Sequence, residues 1–310
     1  MRFRPCLAAV LLLLSVAVEV VAEDPGAKIS VLIVDGQNNH DWQATSPVIA
    51  KFLSESDRFV VERATTPPRG EDLSGFRPRF SSHQVVLLNY NGLVWPEATC
   101  RDLVDFVSRG GGLVVFHAAD NAFPKWDEYN AMIGLGGWGG RSEASGPYLR
   151  LRDGKWEPDN TPGAAGKEHG AAPFLVETFA PEHPIMKGLP TKWLHARDQL
   201  VFNLRGPAEN VEVLAMAFSP DEKGINDYTP MAFTVKYGEG RVFHTPMGHD
   251  LTSITCQGFV TLMRRGVEWA ATGNVTIPPP SNFPTAEETS SWKPREAVAT
   301  EASQPAEPQP

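Results

Sequence analysis

Gly110-Gly111-Gly112-Leu113-Val114-Val115-Phe116-His117-Ala118-Ala119-Asp120-Asn121 runs from a glycine stop through four apolar residues into a polar cluster. A short apolar run bounded by turn residues reads as a buried strand. The glycines precede that strand and close the amphipathic stretch 96–109 as a helix. A dinucleotide-binding loop has its glycines after the strand, so no nucleotide cofactor is expected. The same succession occurs three more times. Residues 29–34 run into Asp35-Gly36-Gln37-Asn38-Asn39-His40-Asp41-Trp42, and residues 85–88 into Asn89-Tyr90-Asn91. Residues 241–245 run into Pro246-Met247-Gly248-His249-Asp250. In an open parallel sheet the carboxyl ends of neighbouring strands share one edge, where ligands bind. Four clusters far apart in sequence would then meet in one cleft.

Working outward, strands are expected at 28–34, 59–63, 84–88 and 113–116, with helices at 45–56 and 96–109. That alternation implies a mainly parallel sheet with right-handed crossovers. Residues 123–203 are rich in Gly, Pro and Trp and read as elaborated loops with short strands. Strands return at 211–217, 231–235 and 240–245, followed by a helix over 257–271. Beyond Asn274 proline, Glu, Ser and Thr dominate, and residues 285–310 are expected to be a disordered tail.

The chain begins Met1-Arg2-Phe3-Arg4, continues with an apolar stretch over 7–18 and reaches Val20-Val21-Ala22. Basic start, short apolar core and small residues describe a signal peptide, 1–22, cut after Ala22, with 23–27 a short leader to one α/β domain over 28–284. The apolar core falls short of the ~20 residues a spanning helix needs. An exported protein is expected, periplasmic or extracellular, with no membrane span after cleavage. Its net charge of −9 over 310 residues, with no basic block, makes nucleic acid an unfavourable partner. Cys6 leaves with the leader, and Cys100 and Cys256 are expected to be free thiols.

Several strings together resemble the ThuA-like (trehalose utilisation) family. They are the segments from Gly36 to Trp42, Gly110 to His117, Gly134 to Arg141, His183 to Pro190, Tyr237 to Asp250 and Arg264 to Gly273. The resemblance covers nearly all of residues 28–284. It implies a class I glutamine amidotransferase-like fold, a flavodoxin-like three-layer sandwich, and a part in catabolism of trehalose, other disaccharides or 3-keto sugars. Amidotransferases of this fold carry a cysteine nucleophile on the turn after a central strand. Here that turn begins with His117, so cysteine-based glutamine hydrolysis is excluded.

Candidate catalytic residues are His117 and His249, with Asp250 orienting His249. The two imidazoles also form a candidate site for a divalent metal such as Zn²⁺. His117 reads equally as a strand-end histidine bonded to nearby backbone. Asn39, His40, Asp41, Asn89, Trp138, Arg141, His169 and Asp198 are candidate substrate contacts, since amides and indoles suit hydroxyls and sugar faces. Asp41 or Thr45 is as well suited to capping the following helix. Where family members often read Asp-Glu-Leu-Tyr, this chain has Asp198-Gln199-Leu200-Val201, and an amide neither titrates nor carries charge. Two functions stay open: a hydrolase, lyase or isomerase of a small-molecule sugar, linked to a sugar dehydrogenase, or a non-catalytic carbohydrate-binding or scaffold module.

Overall fold

The computed structural model describes residues 27–221 and 224–295. The expected signal peptide, 1–22, lies outside the described residues, as do residues 296–310. Thirteen strands and five helices make up the described chain. The strands are β1 (Ile29–Asp35), β2 (Phe59–Thr65), β3 (Val85–Leu88), β4 (Gly112–Phe116), β5 (Tyr148–Arg152), β6 (Lys155–Asp159) and β7 (Lys167–Glu168). They continue as β8 (Ala172–Thr178), β9 (Lys192–Asp198), β10 (Val201–Phe202), β11 (Val211–Ser219), β12 (Asp227–Tyr237) and β13 (Gly240–Thr245). The helices are α1 (Trp42–Ser54), α2 (Glu97–Ser108), α3 (Asp127–Ile133), α4 (Leu251–Ile254) and α5 (Gln257–Thr272).

Nine strands form one sheet in the order β2-β1-β3-β4-β13-β12-β11-β8-β9. Its central strands are apolar on both faces because both faces are covered. Val31 and Ile33 of β1 pack with α1 and α5, whereas Leu32 and Val34 pack with α2 and α3; Val85/Val86 and Val114/Val115 divide in the same way. The result is the expected three-layer α/β sandwich, with one correction. Neighbouring strands make four parallel pairings, among β2, β1, β3, β4 and β13, and four antiparallel ones from β13 to β9. The sheet is mixed, not mainly parallel. Parallel neighbours need a crossover, and helices separate the first strands. Between β12 and β13 there is only Gly238-Glu239, with Gly238 at φ +55°, a turn that returns the chain antiparallel. The region 123–203 also contributes more than loops, since β8 and β9 extend the main sheet.

The C-terminal boundary moves as well. Residues 285–295, expected in the disordered tail, lie on the helical face carrying α1 and α5. Trp292 donates its backbone N–H to Thr255 O (2.7 Å) and packs edge-on against Phe52, with ring centroids 6.0 Å apart. Gln257 N–H donates to Ser290 O, and the cap of α5 is thereby completed by the tail. Composition alone misplaces this segment because one half-buried aromatic anchors a polar stretch. Trp292→Ala is expected to cost ~2 kcal/mol, about half of a full-burial loss. A urea midpoint equal to wild type would show that the segment adds nothing.

Candidate functional site

The loops that leave β1, β4 and β13 bring His40, His117 and His249 together. Ring centroids lie 4.5 Å apart for His40–His117, 4.7 Å for His40–His249 and 5.3 Å for His117–His249. One ring nitrogen from each lies within 4.8 Å of the others. His117 is buried and follows β4 directly in a left-handed conformation, φ +43°. A side chain there strains the backbone by about 1–3 kcal/mol, so the surroundings must hold it. Part of that hold is a hydrogen bond between His117 Nδ1 and Pro246 O, 2.9 Å. A carbonyl only accepts, so Nδ1 carries the proton and Nε2 keeps its lone pair. His249 Nδ1 is buried without a hydrogen-bond partner.

Burial, and then the two neighbouring imidazoles, lower His40 to a pKa of about 4. Burial also lowers His117. Neutral imidazoles with free lone pairs are metal ligands, and three of them with remaining positions open fit Zn²⁺ or a similar divalent cation. The donor set and the orphaned His249 Nδ1 therefore suit the expected metal. His40, expected as a substrate contact, supplies the third ligand position.

Asp198, expected as a substrate contact, does not line the cleft beside the imidazoles but lies beneath the cluster. It is 1 % exposed, and four donors converge on its carboxylate. Oδ2 accepts from His195 Nε2 (2.9 Å) and Gly248 N–H (2.8 Å), and Oδ1 from His249 N–H (3.1 Å) and Gln199 N–H (2.8 Å). The carboxylate thus sets the backbone that presents His249. Asp250 does not orient the His249 ring, as its Oδ2 stands 3.8 Å from Nδ1. Its carboxylate instead caps α4 through Ser253 N–H and pairs with Arg197.

Beside the imidazoles opens a cleft of about 430 Å³. Among the expected contacts, Asn39, His40 and Trp138 line it, together with His117. Trp138 is seated against Gly166, where a Cβ would lie 2.6 Å from the indole. The remaining expected contacts face elsewhere. Asp41 caps α1 by accepting from Ala44 N–H, 3.0 Å. Asn89 is buried, donating to Thr45 and Ser46 hydroxyls and accepting from Asn38. Arg141 is 3 % exposed and braces its own loop through Asn130 Oδ1 and the carbonyls of Asn121, Ala122 and Gly137. His169 bonds Ser219 Oγ (2.8 Å) beside a separate hollow with Phe174 and Phe218.

Sequence reasoning missed Asp120, Asn121 and Glu168 as lining groups. Asp120 and Asn121 follow His117 in the polar cluster after β4, and that proximity in sequence is the signal that points to them. Gln199 does line the cleft, and its Nε2 donates to Glu168 Oε1 at 3.0 Å. The amide that stands where the resemblance implies a glutamate therefore lies in the cleft itself. Cys100 is half-buried on α2 and Cys256 buried at the start of α5, so neither thiol stands where an amidotransferase nucleophile would.

Comparison with known proteins agrees with this architecture. The family model described as trehalose utilisation, ThuA, matches residues 30–270. A ThuA-like protein of Parabacteroides merdae is 44% identical, with a TM-score of 0.84 over 86% of this chain and 98% of that one. A ThuA-like protein of Bacteroides uniformis is 20% identical, with a TM-score of 0.55 over 82% of this chain and 96% of that one, and bears on the fold alone. No curated protein matches the sequence. With its model match spanning the whole sandwich and its 44% identical relative, the chain belongs to the ThuA, trehalose-utilisation, family.

Proposed function

We propose that this protein is an exported, metal-assisted enzyme of carbohydrate catabolism acting on a neutral disaccharide or a keto sugar derived from one. The observation that carries the reading is the convergence of His40, His117 and His249, whose ligand atoms lie within 4.8 Å of one another beside the cleft. A divalent cation held there would polarise a sugar carbonyl or hydroxyl or activate water. The chain's own groups favour an uncharged polyol. Asn39, Asn121 and Gln199 offer amides, Trp138 offers an indole face, and no Lys or Arg among the described residues lines the cleft to hold a phosphate. Family membership supports disaccharide metabolism, and a sugar dehydrogenase would supply the keto form. The leader sequence at 1–22 supports export. Among the described residues no helix is long and apolar enough to cross a membrane.

Gln199, an amide where the family resemblance implies an acid, favours the competing reading of a binding module that has lost turnover. One experiment separates the two. Elemental mass spectrometry on protein purified without chelators or a histidine tag should find near-stoichiometric metal, lost in His249→Ala along with turnover of a sugar panel. A metal-free wild type unchanged in melting and activity by added Zn²⁺ or Mn²⁺ would remove the metal-assisted mechanism. Sugar binding without turnover in the metal-loaded protein would leave the module.

A further inference from the structure

His117 opens a short 3-10 helix, His117–Asn121. Asp120 stands three residues further along this turn, and both it and His117 line the cleft. Asp120 is 1 % exposed, and its Oδ1 has no hydrogen-bond partner. Asn121 Oδ1, also on the cleft, is likewise buried and unpartnered. Buried polar atoms in folded chains are nearly all paired, so two adjacent orphaned oxygens mark a place where a ligand completes the bonding.

The groups facing Asp120 come from several elements. Arg141, in the loop after α3, is the nearby cation, but its guanidinium is directed to Asn130 and three carbonyls, and no Asp120–Arg141 ion pair forms among the described residues. Tyr129 of α3 donates its hydroxyl to Ala119 O. His117 shares the turn, and His40 and Glu168 stand on other walls of the cleft. Burial outweighs the pull of Arg141 and pushes the Asp120 carboxyl up to about 8. The carboxyl is then protonated in the neutral range.

We infer that Asp120 is the proton donor of the cleft, delivering its proton to an oxygen of the bound sugar while Asn121 Oδ1 accepts from a neighbouring hydroxyl. The inference rests on the carbohydrate reading above. In the step, the Asp120 O–H bond breaks and its electron pair stays on the carboxylate. The proton bonds to a lone pair on the sugar oxygen that gains negative charge as the reacting bond shifts its electrons there. Water entering after the product leaves returns a proton to Asp120, and the hydroxide it leaves passes out to bulk solvent. A carboxylic acid kept neutral by an apolar setting is suited to this task.

Infrared difference spectroscopy on the full chain, wild type against Asp120→Asn, tests the assignment without any substrate. The expected wild-type spectrum carries a protonated-carboxyl band at neutral pH that fades as pH passes about 8 and is missing from the variant. In turnover, Asp120→Asn should lower kcat by ~10²–10⁴-fold with KM little changed. It should also remove the alkaline limb of the wild-type profile, while Asp120→Glu retains a shifted limb. A band that titrates in the ordinary carboxylate range overturns the proposal, as does an Asp120→Asn protein with wild-type kcat and limb. A chain that carries the band yet turns over no sugar loses the carbohydrate reading and keeps the acid.

Discussion

His117→Asn should leave the melting temperature close to wild type while bound metal is lost and turnover falls by at least ~10²-fold. The substitution separates what the turn needs from what the site needs. The turn needs a residue that tolerates φ +43° and a donor aimed at Pro246 O. Asparagine is among the side chains that adopt the left-handed region most readily, and its amide N–H can stand where Nδ1–H stood. Relief of backbone strain offsets the loss of ring contacts, so the net stability change should stay within ~1 kcal/mol. What Asn cannot supply is the lone pair of Nε2. His117→Ala would blur this distinction, since it removes the donor and the ligand together. If His117→Asn binds metal as tightly as wild type, the imidazole is not a ligand and its strained placement serves the turn alone.

The three imidazoles converge because the strand-end rule operates on patterns that are visible in sequence. Apolar runs over β1, β3, β4 and β13 read as buried strands, and the polar residues after them fall on one edge. Direction was harder to read than position. The Gly238-Glu239 hairpin that sets β13 antiparallel to β12 was present in the sequence, but the helix-separated strands before it set the expectation. β8 and β9 went unrecognised as sheet strands because they lie in a Gly- and Pro-rich region and are only partly buried, so neither period stands out.

Side-chain orientation was the least legible quantity. Arg141 and Trp138 share one glycine-rich loop, yet the indole lines the cleft and the guanidinium turns inward to four oxygens. No local pattern distinguishes those outcomes, because they depend on carbonyls supplied by α3 and the turn after β4. Asp120 is visible in the cluster after β4, but its acid character comes from burial, which only tertiary structure supplies. His195 was passed over for the same reason. Its partner Asp198 is three residues away on β9, and nothing in the string says that both side chains are enclosed.

Asp198→Asn should destabilise the fold by ~3–5 kcal/mol, the cost of breaking a buried ion pair, and weaken metal binding by ~10–100-fold. Four donors meet the carboxylate, and an amide would have to turn its own N–H₂ toward at least one of them. Burial alone would lower the pKa of His195, but the bond to Asp198 and the adjoining Cys256 sulfur outweigh it and raise His195 from 6.5 to about 9. Burial alone would raise Asp198, but His195, His117 and the Gly248 N–H hold it below its ordinary 3.8. The raised His195 contributes stability in full below 6.5, and that contribution is lost as pH rises through about 9. The depressed Asp198 contributes above 3.8, and its share is lost as pH falls through its folded value. The pair therefore stabilises most between those two ordinary values, and wild-type stability should slope downward from 6.5 to about 9. Urea unfolding across that range should show the slope in wild type and a much flatter line in Asp198→Asn. An equal slope in both would mean that His195 is not held charged by this carboxylate. A flattened slope accompanied by weaker metal binding would tie the two effects to one cause. The segment from Pro246 to His249 is irregular backbone, and the buried carboxylate on its two N–H groups is what gives His249 a fixed address beside His40 and His117.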